Sequence, residues 1–278
     1  MMDLKLMTHN VNGLGDFKIR KKYFNFLLKL KKDIILLQET HSTEKDEVIW
    51  RNQTRANIIF NHGTSASRGV CIIMRKTPDL KIIDSIKDDT GRMLLLKVEV
   101  FRKTLIIGNI YAPNTEKDQV EFFDKLYATL LDFNDEGHQC MIGGDFNLIQ
   151  NVDLDREGGT MKTTCKRPCA LVEKLRKDFD LVDIWRVRNK MKKQFTWRRY
   201  NPCVQSRLDF WLISDSVQTE VMENDIIPCV LSDHDYVTLH LQVKKQKIGP
   251  SYWKFNNSLL SNQEYVLNLS EKNSRMAE

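Results

Sequence analysis

No apolar run in this 278-residue sequence approaches the roughly 18 residues that a membrane-spanning helix requires, so no transmembrane helix and no membrane partner are expected. The first ten residues, MMDLKLMTHN, lack the apolar stretch of a secretory signal. Cysteine is sparse, with six residues scattered at 71, 140, 165, 169, 203 and 229, and nothing in their spacing suggests a disulfide framework. Cys71 and Cys140 fall within apolar runs and read as core residues. Cys165 and Cys169 lack a second pair, or a histidine at metal spacing, which argues against a zinc site. No internal repeat is present. These absences point to an intracellular protein in a reducing compartment.

What is there supports a large folded unit. A hydrophobic content of 41% is enough for a sizeable core, and one layered sandwich can occupy a chain of this length. The 43 basic and 37 acidic side chains leave a formal charge of +6, a mild excess that suits an anionic partner without specifying one. Basic residues cluster at Lys18–Lys22, read as a solvated face, and between Arg186 and Arg199. The second cluster, with Trp197 and Tyr200 among its charges, lies near the motifs described below and reads as a candidate phosphate-contact surface. Trp197 itself reads as a core residue.

Strand-like runs dominate. Leu4, Leu6 and Thr8 alternate with other residues before Asn10. Helical spacing of Phe17, Tyr23, Phe24, Leu27, Leu28 and Leu30 predicts a helix over Asp16–Lys32. Strands are predicted at Asp33–Leu37, Ala56–Asn61 and Gly69–Arg75. A meander follows over Leu80–Lys87, Arg92–Phe101 and Thr104–Tyr111, with turns at Asp89–Gly91 and Arg102–Lys103. Thr115–Phe133 is helical, with Val120, Phe123, Leu126, Tyr127 and Leu130 on one face. Then come a strand at Cys140–Gly143, a helix around Cys165–Asp178, and strands at Gln194–Arg198, Arg207–Ile213 and Tyr236–Val243. Strands in blocks with helices between blocks favour an α/β four-layer sandwich of two packed sheets with helices outside. After Val243 the composition shifts to Lys-rich and then Gly-Pro sequence, which predicts a domain over 1–243 and a connector over 244–278.

Polar residues recur where apolar runs end. Asn10 follows Leu4–Thr8, Glu39 follows Ile34–Leu37, and Tyr111 follows Leu105–Ile110. Asp145 and Asn147, in GGDFN, follow Cys140–Ile142. Asp209 lies in Arg207–Ile213, and His234, in SDHD, precedes Tyr236. Acids, amides, a phenol and an imidazole gathered at one sheet edge are what phosphodiester hydrolysis needs: one group to hold and deprotonate water, another to stabilise charge on phosphate.

Six segments then carry a resemblance: Thr8–Leu14 (THNVNGL), Leu36–Thr40 (LLQET), Gly108–Asn114 (GNIYAPN), Gly143–Asn147 (GGDFN), Ser206–Ser214 (SRLDFWLIS) and Leu231–Asp235 (LSDHD). In order and spacing the sequence resembles the endonuclease/exonuclease/phosphatase superfamily. Within it, QETH, IYAPN, LDREGG and the tight spacing from FTWRR to SRLD resemble the endonuclease domain of a non-LTR retrotransposon polyprotein. GPSYWKFNNSLL, at Gly249–Leu260, is similar to the connector leading toward the reverse transcriptase of such elements, so the chain is expected to be a fragment or part of a truncated element.

The resemblance implies roles. Glu39 is the main Mg²⁺ ligand, with Asn10 close by and Asp233 joining the metal or holding His234; Mn²⁺ is a substitute. Asp145 orients and deprotonates water, and Asn147 bonds a phosphate oxygen. His234 contacts the scissile phosphate, Asp209 fixes its tautomer, and Tyr111 donates to phosphate or tunes the leaving oxygen. Arg156 lies near the DNA backbone. Asn12, His41, Asn114, Thr196 and Ser232 lie near the strand being cut. His9 stands where many relatives carry an apolar or aromatic residue. The loop Glu157–Arg167 has no matching segment. The implied activity is a Mg²⁺-dependent DNA endonuclease that nicks one strand of double-stranded DNA and leaves a 3′-hydroxyl. That end primes target-primed reverse transcription by the reverse transcriptase region of the same polyprotein, with the nucleus as the place of action. The alternatives are an apurinic-site repair endonuclease, a phosphatase acting on inositol lipids or sphingomyelin, and an inactive DNA- or protein-binding module.

The composition shift generates a first prediction. A chain ended at Val243 should give the same circular dichroism per residue and a cooperative melt close to that of the full chain. Loss of the cooperative melt would mean that Tyr252, Trp253 and Phe255 pack onto the domain.

Overall fold

Alternate side chains on a strand point to opposite faces, and most strands here bury both. In the computed structural model, which describes residues 2–159 and 165–243, that demand is met by two sheets packed face to face, with helices outside. The first sheet runs β14 (Val221–Glu223), β16 (Tyr236–Val243), β1 (Met2–Asn10), β2 (Ile34–Gln38), β4 (Val70–Met74) and β3 (Asn57–Asn61), with β15 (Ile226–Ile227) also paired to β16. The second runs β10 (Leu181–Asp183), β13 (Asp209–Ser214), β8 (Gln139–Asp145), β7 (Lys103–Tyr111), β6 (Met93–Val100) and β5 (Leu80–Lys87). A small third sheet joins β11 (Trp197–Arg199), β12 (Val204–Ser206) and β9 (Arg156–Gly158).

The layers follow from side-chain parity. Leu4, Leu6 and Leu36 of the first sheet face Ile107, Met141 and Trp211 of the second in one inter-sheet core. The opposite face of the first sheet, with Met7, Ile35 and Leu37, packs on Tyr23, Phe24 and Leu27 of α1 (Phe17–Leu30) and on Trp50 of α2 (Glu47–Thr54). The outer face of the second sheet packs on α3 (Glu116–Phe133) and α5 (Lys166–Asp178). Two short α-helices, α4 (Val152–Asp155) and α6 (Ile184–Arg188), and two 3₁₀ helices, Glu44–Asp46 and Asp215–Glu220, complete the set among the described residues. The four-layer sandwich is the predicted one. No helix of the described residues is long and apolar enough to cross a membrane.

Several local expectations needed correction. α2 is an addition to the predicted elements: it has only eight residues and buries two of them, Trp50 and Thr54. On α3 the buried face is Gln119, Phe122, Phe123, Leu126 and Leu130, while Val120 and Tyr127 sit at its edges. Gln119 is drawn inward because its amide donates to the carbonyls of Pro113 (2.9 Å) and Asn147 (2.8 Å). The strand predicted at Gln194–Arg198 exists only as Trp197–Arg199. Arg20, assigned to a solvated face, is buried and donates to the carbonyls of Leu14 and Gly15 at 2.8 and 2.9 Å. The connector 244–278 and residues 160–164 of the Glu157–Arg167 loop lie outside the described residues.

Two glycines of GGDFN are required by close packing. A Cβ on Gly143 would lie 2.8 Å from ring atoms of Trp211, and one on Gly144 would lie 2.0 Å from the carbonyl oxygen of Ile110. β8 therefore fits between β7 and β13 only without side chains at these positions.

The LDREGG segment is tied down by buried charge. Arg207, 1% exposed, donates from Nε to Asp155 Oδ1 at 2.7 Å and pairs through Nη2 with Asp183 at 2.7 Å. Arg186 also pairs with Asp155. Arg207 lies over the Trp185 and Phe210 rings at 5.4 and 5.1 Å. Burial alone would raise the Asp155 carboxyl, but the two arginines outweigh it and hold it below the usual carboxylate range. Arg207→Leu removes the buried cation beside Asp183 and leaves Asp155 with Arg186 alone, and should destabilise by about 3–5 kcal/mol, read as a lower urea midpoint. The stability that Asp155 contributes is complete above its unfolded value of about 3.9 and is lost as pH falls through its lower folded value. Wild type should therefore lose more stability over that acid range than Asp155→Asn; parallel acid profiles would contradict the pairing.

Candidate active site

Register brings the strand-end polar residues together. β7 and β8 are parallel, with Tyr111 opposite Asp145, and β13 is antiparallel to β8, with Asp209 opposite Asp145. Tyr111, Asp145 and Asp209 thus form a row across three strands, on the parity of Ile107, Met141 and Trp211, so they point between the sheets. In the first sheet Asn10 lies opposite Gln38, on the parity of Leu4 and Leu6. His234 enters from the loop before β16. Below these groups the core is already polar. Gln38 Nε2 donates to Thr8 Oγ1 (2.9 Å) and Asn109 Oδ1 (2.6 Å), and Asn109 donates to the carbonyls of Leu37 and Cys71. Gln38 and Asn109 were not singled out from sequence. Their signal is an amide on the inner parity of an otherwise apolar strand.

The central contacts join both sheets. His234 Nδ1 lies 2.8 Å from Asp209 Oδ2, and its Nε2 lies 3.9 Å from Asp145 Oδ2. Asn10 Nδ2 donates to Asp145 Oδ2 and to Glu39 Oε1, each at 3.0 Å. Asp145 Oδ1 accepts from the Asn147 backbone amide at 2.9 Å, and Asn147 Nδ2 donates to the Ala112 carbonyl at 2.8 Å. A cleft of about 310 Å³ opens here, with Glu39, Asp145, Asn147 and His234 in its walls.

Electrostatics separate the roles of the groups. Burial, reinforced by the charge of Asp209, raises Asp145 to about 7, against the opposing effects of His234, Asn10 and Asn147. For His234 burial favours the neutral ring, but Asp209, helped by Asp145 and Asp233, outweighs it and raises the imidazolium to about 10. Burial first, then the charge and hydrogen bond of Glu39, hold the Tyr111 phenol well above its usual range. Arg92, not identified from sequence, lies 4.7 Å over the Tyr111 ring and donates to the Tyr111 carbonyl. A carboxylate near neutrality can take a proton from water, and a cationic imidazole can face an anion.

Hard oxygen donors converge at the same place. Asp145, Asp209 and His234 offer ligand atoms within 4.8 Å of one another. His234 Nδ1 and Asp209 already bond each other, so a cation between them would break that pair. Glu39, bonded through Oε1 to the Asn10 amide, offers a carboxylate at the cleft outside that pair, the oxygen ligand a hard divalent cation takes. Asp233 has both carboxylate oxygens engaged, by Asn12 Nδ2 and Trp197 Nε1, each at 3.1 Å.

The remaining residues divide. Asn12 and Asn114 are exposed and line the cleft. His41 Nε2 lies 3.6 Å from Glu39 Oε2. Ser232 Oγ donates to the Asn10 carbonyl (2.8 Å) and accepts from the His234 amide (3.2 Å). Thr196 does not face the cleft: it is fully buried, and its hydroxyl accepts from the amides of Leu208 and Asp209, both at 3.0 Å. Arg156 is half-buried in β9, opposite Ser206. Trp197, expected in the core, instead lines the cleft. Within the second basic cluster Arg186, Arg188 and Arg198 are engaged by protein groups. Asn12, Glu39, His41 and Asn147 adopt left-handed backbone, with φ of 48°, 50°, 52° and 46°. Such strain, of order 1–3 kcal/mol each, persists where surrounding bonds over-determine it. At Glu39 and His41 the bonds are Gly13 N to Glu39 O (2.8 Å) and His41 N to Arg68 O (2.9 Å).

Residues 7–234 match the model of the Endonuclease/Exonuclease/phosphatase family, and the chain belongs to that family. Over 267 residues it is 29% identical to a Xenopus laevis protein described as "Transposon TX1 uncharacterized 149 kDa protein", covering 95% of this chain and 20% of that one. The chain thus spans about a fifth of that relative's length. It is 22% identical to an exodeoxyribonuclease of Bacillus subtilis (strain 168), over 86% of this chain and 100% of that one. Among solved structures, AP endonuclease LMAP of Leishmania major superposes with a TM-score of 0.75 at 14% identity, covering 87% of this chain and 88% of that one. The Xenopus laevis APE2 catalytic domain superposes with a TM-score of 0.70 at 20% identity, covering 85% and 91%. These likenesses establish the fold.

The electrostatics are open to direct titration. In metal-free protein, NMR should show the His234 ring titrating at about 10. In Asp209→Asn burial is left less opposed, and the value should fall. An unshifted midpoint would mean that Asp209 does not hold the imidazolium.

Proposed function

We propose that this member of the Endonuclease/Exonuclease/phosphatase family is a Mg²⁺-dependent DNA endonuclease that nicks one strand of a duplex and leaves a 3′-hydroxyl. The observation that carries the reading is the paired arrangement in one cleft. A buried carboxylate raised toward neutrality, Asp145, lies 3.9 Å from an imidazole held cationic by Asp209. Glu39 and Asn10 would hold the cation, with Mn²⁺ as a substitute. When bound, the metal supplies positive charge to the phosphate oxygens. Asp145, oriented by Asn10 and by the Asn147 amide, takes the proton of the attacking water as the water oxygen bonds phosphorus. The bond from phosphorus to the 3′ oxygen breaks, and that oxygen leaves with a proton from solvent. His234 donates from Nε2 toward the phosphate, where charge develops, while Nδ1–H stays with Asp209. Asn147 and the Tyr111 hydroxyl provide further donors at the cleft, and Asn12 and Asn114 meet the strand being cut. Asp233 acts at the rim, through Asn12 and Trp197.

The transposon relative supports a setting for this chemistry. Residues 1–243 act as the nuclease domain and 244–278 as a connector to a reverse transcriptase region of the same polyprotein. The 3′-hydroxyl then primes reverse transcription on chromosomal DNA in the nucleus.

Supercoiled plasmid should become open circles with Mg²⁺ and stay supercoiled with EDTA. Asp145→Ala and His234→Ala should each lower nicking at least about a hundredfold, the scale for losing a positioned acid–base or charge-stabilising group. Glu39→Gln should raise the Mg²⁺ concentration for half-maximal rate. No nicking with Mg²⁺ or Mn²⁺ would favour a binding module. Cleavage of an abasic duplex hundreds of times faster than every intact one would favour a repair enzyme.

A further inference from the structure

His9 precedes Asn10 on β1 but has the opposite parity, so its ring points away from the cleft, toward α1. It is fully buried, yet both ring nitrogens have partners. Nε2 lies 3.0 Å from the backbone carbonyl oxygen of His234, and Nδ1 lies 2.6 Å from the Tyr23 hydroxyl. A carbonyl oxygen only accepts, so Nε2 carries the hydrogen. Nδ1 is then a lone pair that accepts from Tyr23. The ring stacks on Tyr23 with centroids 5.6 Å apart and meets Tyr236 edge-on at 5.9 Å.

An apolar side chain would fill this space without burying polar atoms, so the imidazole needs a reason. The loop that carries His234 supplies one. The His234 amide is bonded by Ser232 Oγ, which itself donates to the Asn10 carbonyl. His9 bonds the carbonyl of the same residue. The end of β1 therefore grips His234 on both sides of its Cα, through neighbouring residues 9 and 10, and the imidazole between them is aimed at Asp209. Without His9 the buried carbonyl loses its donor, and the peptide that carries it is held only from its other side, by the Asp235 amide on the Thr196 carbonyl at 2.6 Å.

We propose that His9 is a positioning residue: its Nε2–H fixes the main chain of His234, and Tyr23 of α1 fixes the His9 tautomer that makes this bond. The proposal rests on the nuclease reading of the cleft. It places the control of His234 partly in the helix layer, on the far side of the first sheet.

The test uses the full chain. ¹⁵N spectra of histidine-labelled protein should show His9 protonated at Nε2 and bare at Nδ1; the reverse tautomer would overturn the proposal, whether or not the protein cuts DNA. In plasmid nicking, His9→Leu should lower kcat about tenfold with KM for DNA little changed, the scale of one well-placed hydrogen bond. His9→Gln, whose amide can still donate, should recover most of that rate, and Tyr23→Phe should give a smaller loss. In a His234→Ala background His9→Leu should cause no further loss, because the two act through one group. A full tenfold loss there, or wild-type activity in His9→Leu, would refute a role through His234. A wild-type protein that does not nick would instead refute the nuclease reading, and the tautomer measurement would still decide the His9–His234 bond.

Discussion

The hydrogen bond from Asn10 to Asp145 is the point where two sheets, held apart by apolar side chains elsewhere, meet through polar ones. Over most of its length the inter-sheet core is Leu, Ile, Val and Met. At one end the same parity delivers Thr8, Asn10, Gln38, Asn109, Asp145 and Asp209. A buried polar group without a partner costs about 1–3 kcal/mol, so this end of the sandwich persists only as a connected network. Asn10 connects it by serving two carboxylates with one amide nitrogen, and Gln38 and Asn109 tie the sheets one layer deeper. The register of β1 on β2, and of β7, β8 and β13, is therefore set by the polar end as well as by the apolar core.

That network explains why the cleft is electrostatically uneven. Asp145 and Asp209 are buried side by side, and both cannot carry full charge cheaply. His234 resolves the conflict by standing against Asp209, which leaves Asp145 as the group pushed toward neutrality. Strain enters at the loops rather than in the strands. Glu39 and His41 hold left-handed backbone because Gly13 and Arg68 bond the flanking peptide groups. The close approach of β8 to its neighbours, which needs glycine at 143 and 144, aligns Asp145 with Tyr111 and Asp209.

Charge outside the cleft is put to structural use. Arg207, buried between Asp155, Asp183, Trp185 and Phe210, fastens the segment before β9 to the residue two positions ahead of Asp209. Arg188 bonds carbonyls of β14, and Arg198 bonds Asp235 next to His234. Basic residues that look like a partner-binding surface when read as composition are, at these positions, internal fastenings of the same loops that carry the site.

The long strands and the helices α1, α3 and α5 were legible in the sequence, because each has enough residues for its period to show. Asp145, Asp209, Asn10, Glu39, Tyr111 and His234 were legible as polar residues at the ends of such runs. Short elements were less so: β9 and β12 have three residues each, too few for alternation, and β11, predicted over Gln194–Arg198, is confined to the three residues that pair with β12. The same limit hid the fates of single polar residues. Thr196 and Trp197 are neighbours in the predicted strand Gln194–Arg198, and nothing local says that the threonine is buried against Asp209 while the tryptophan walls the cleft. Nor could local pattern show that Arg20 and Arg207 are interior, or that His9 reaches the main chain of a residue 225 positions away. Periodicity is a property of neighbouring residues, and the sequence by itself determined which segments become strands or helices and which chemistry sits at their ends. Burial, pairing and proton affinity depend on contacts between distant segments, and these only the tertiary structure decided.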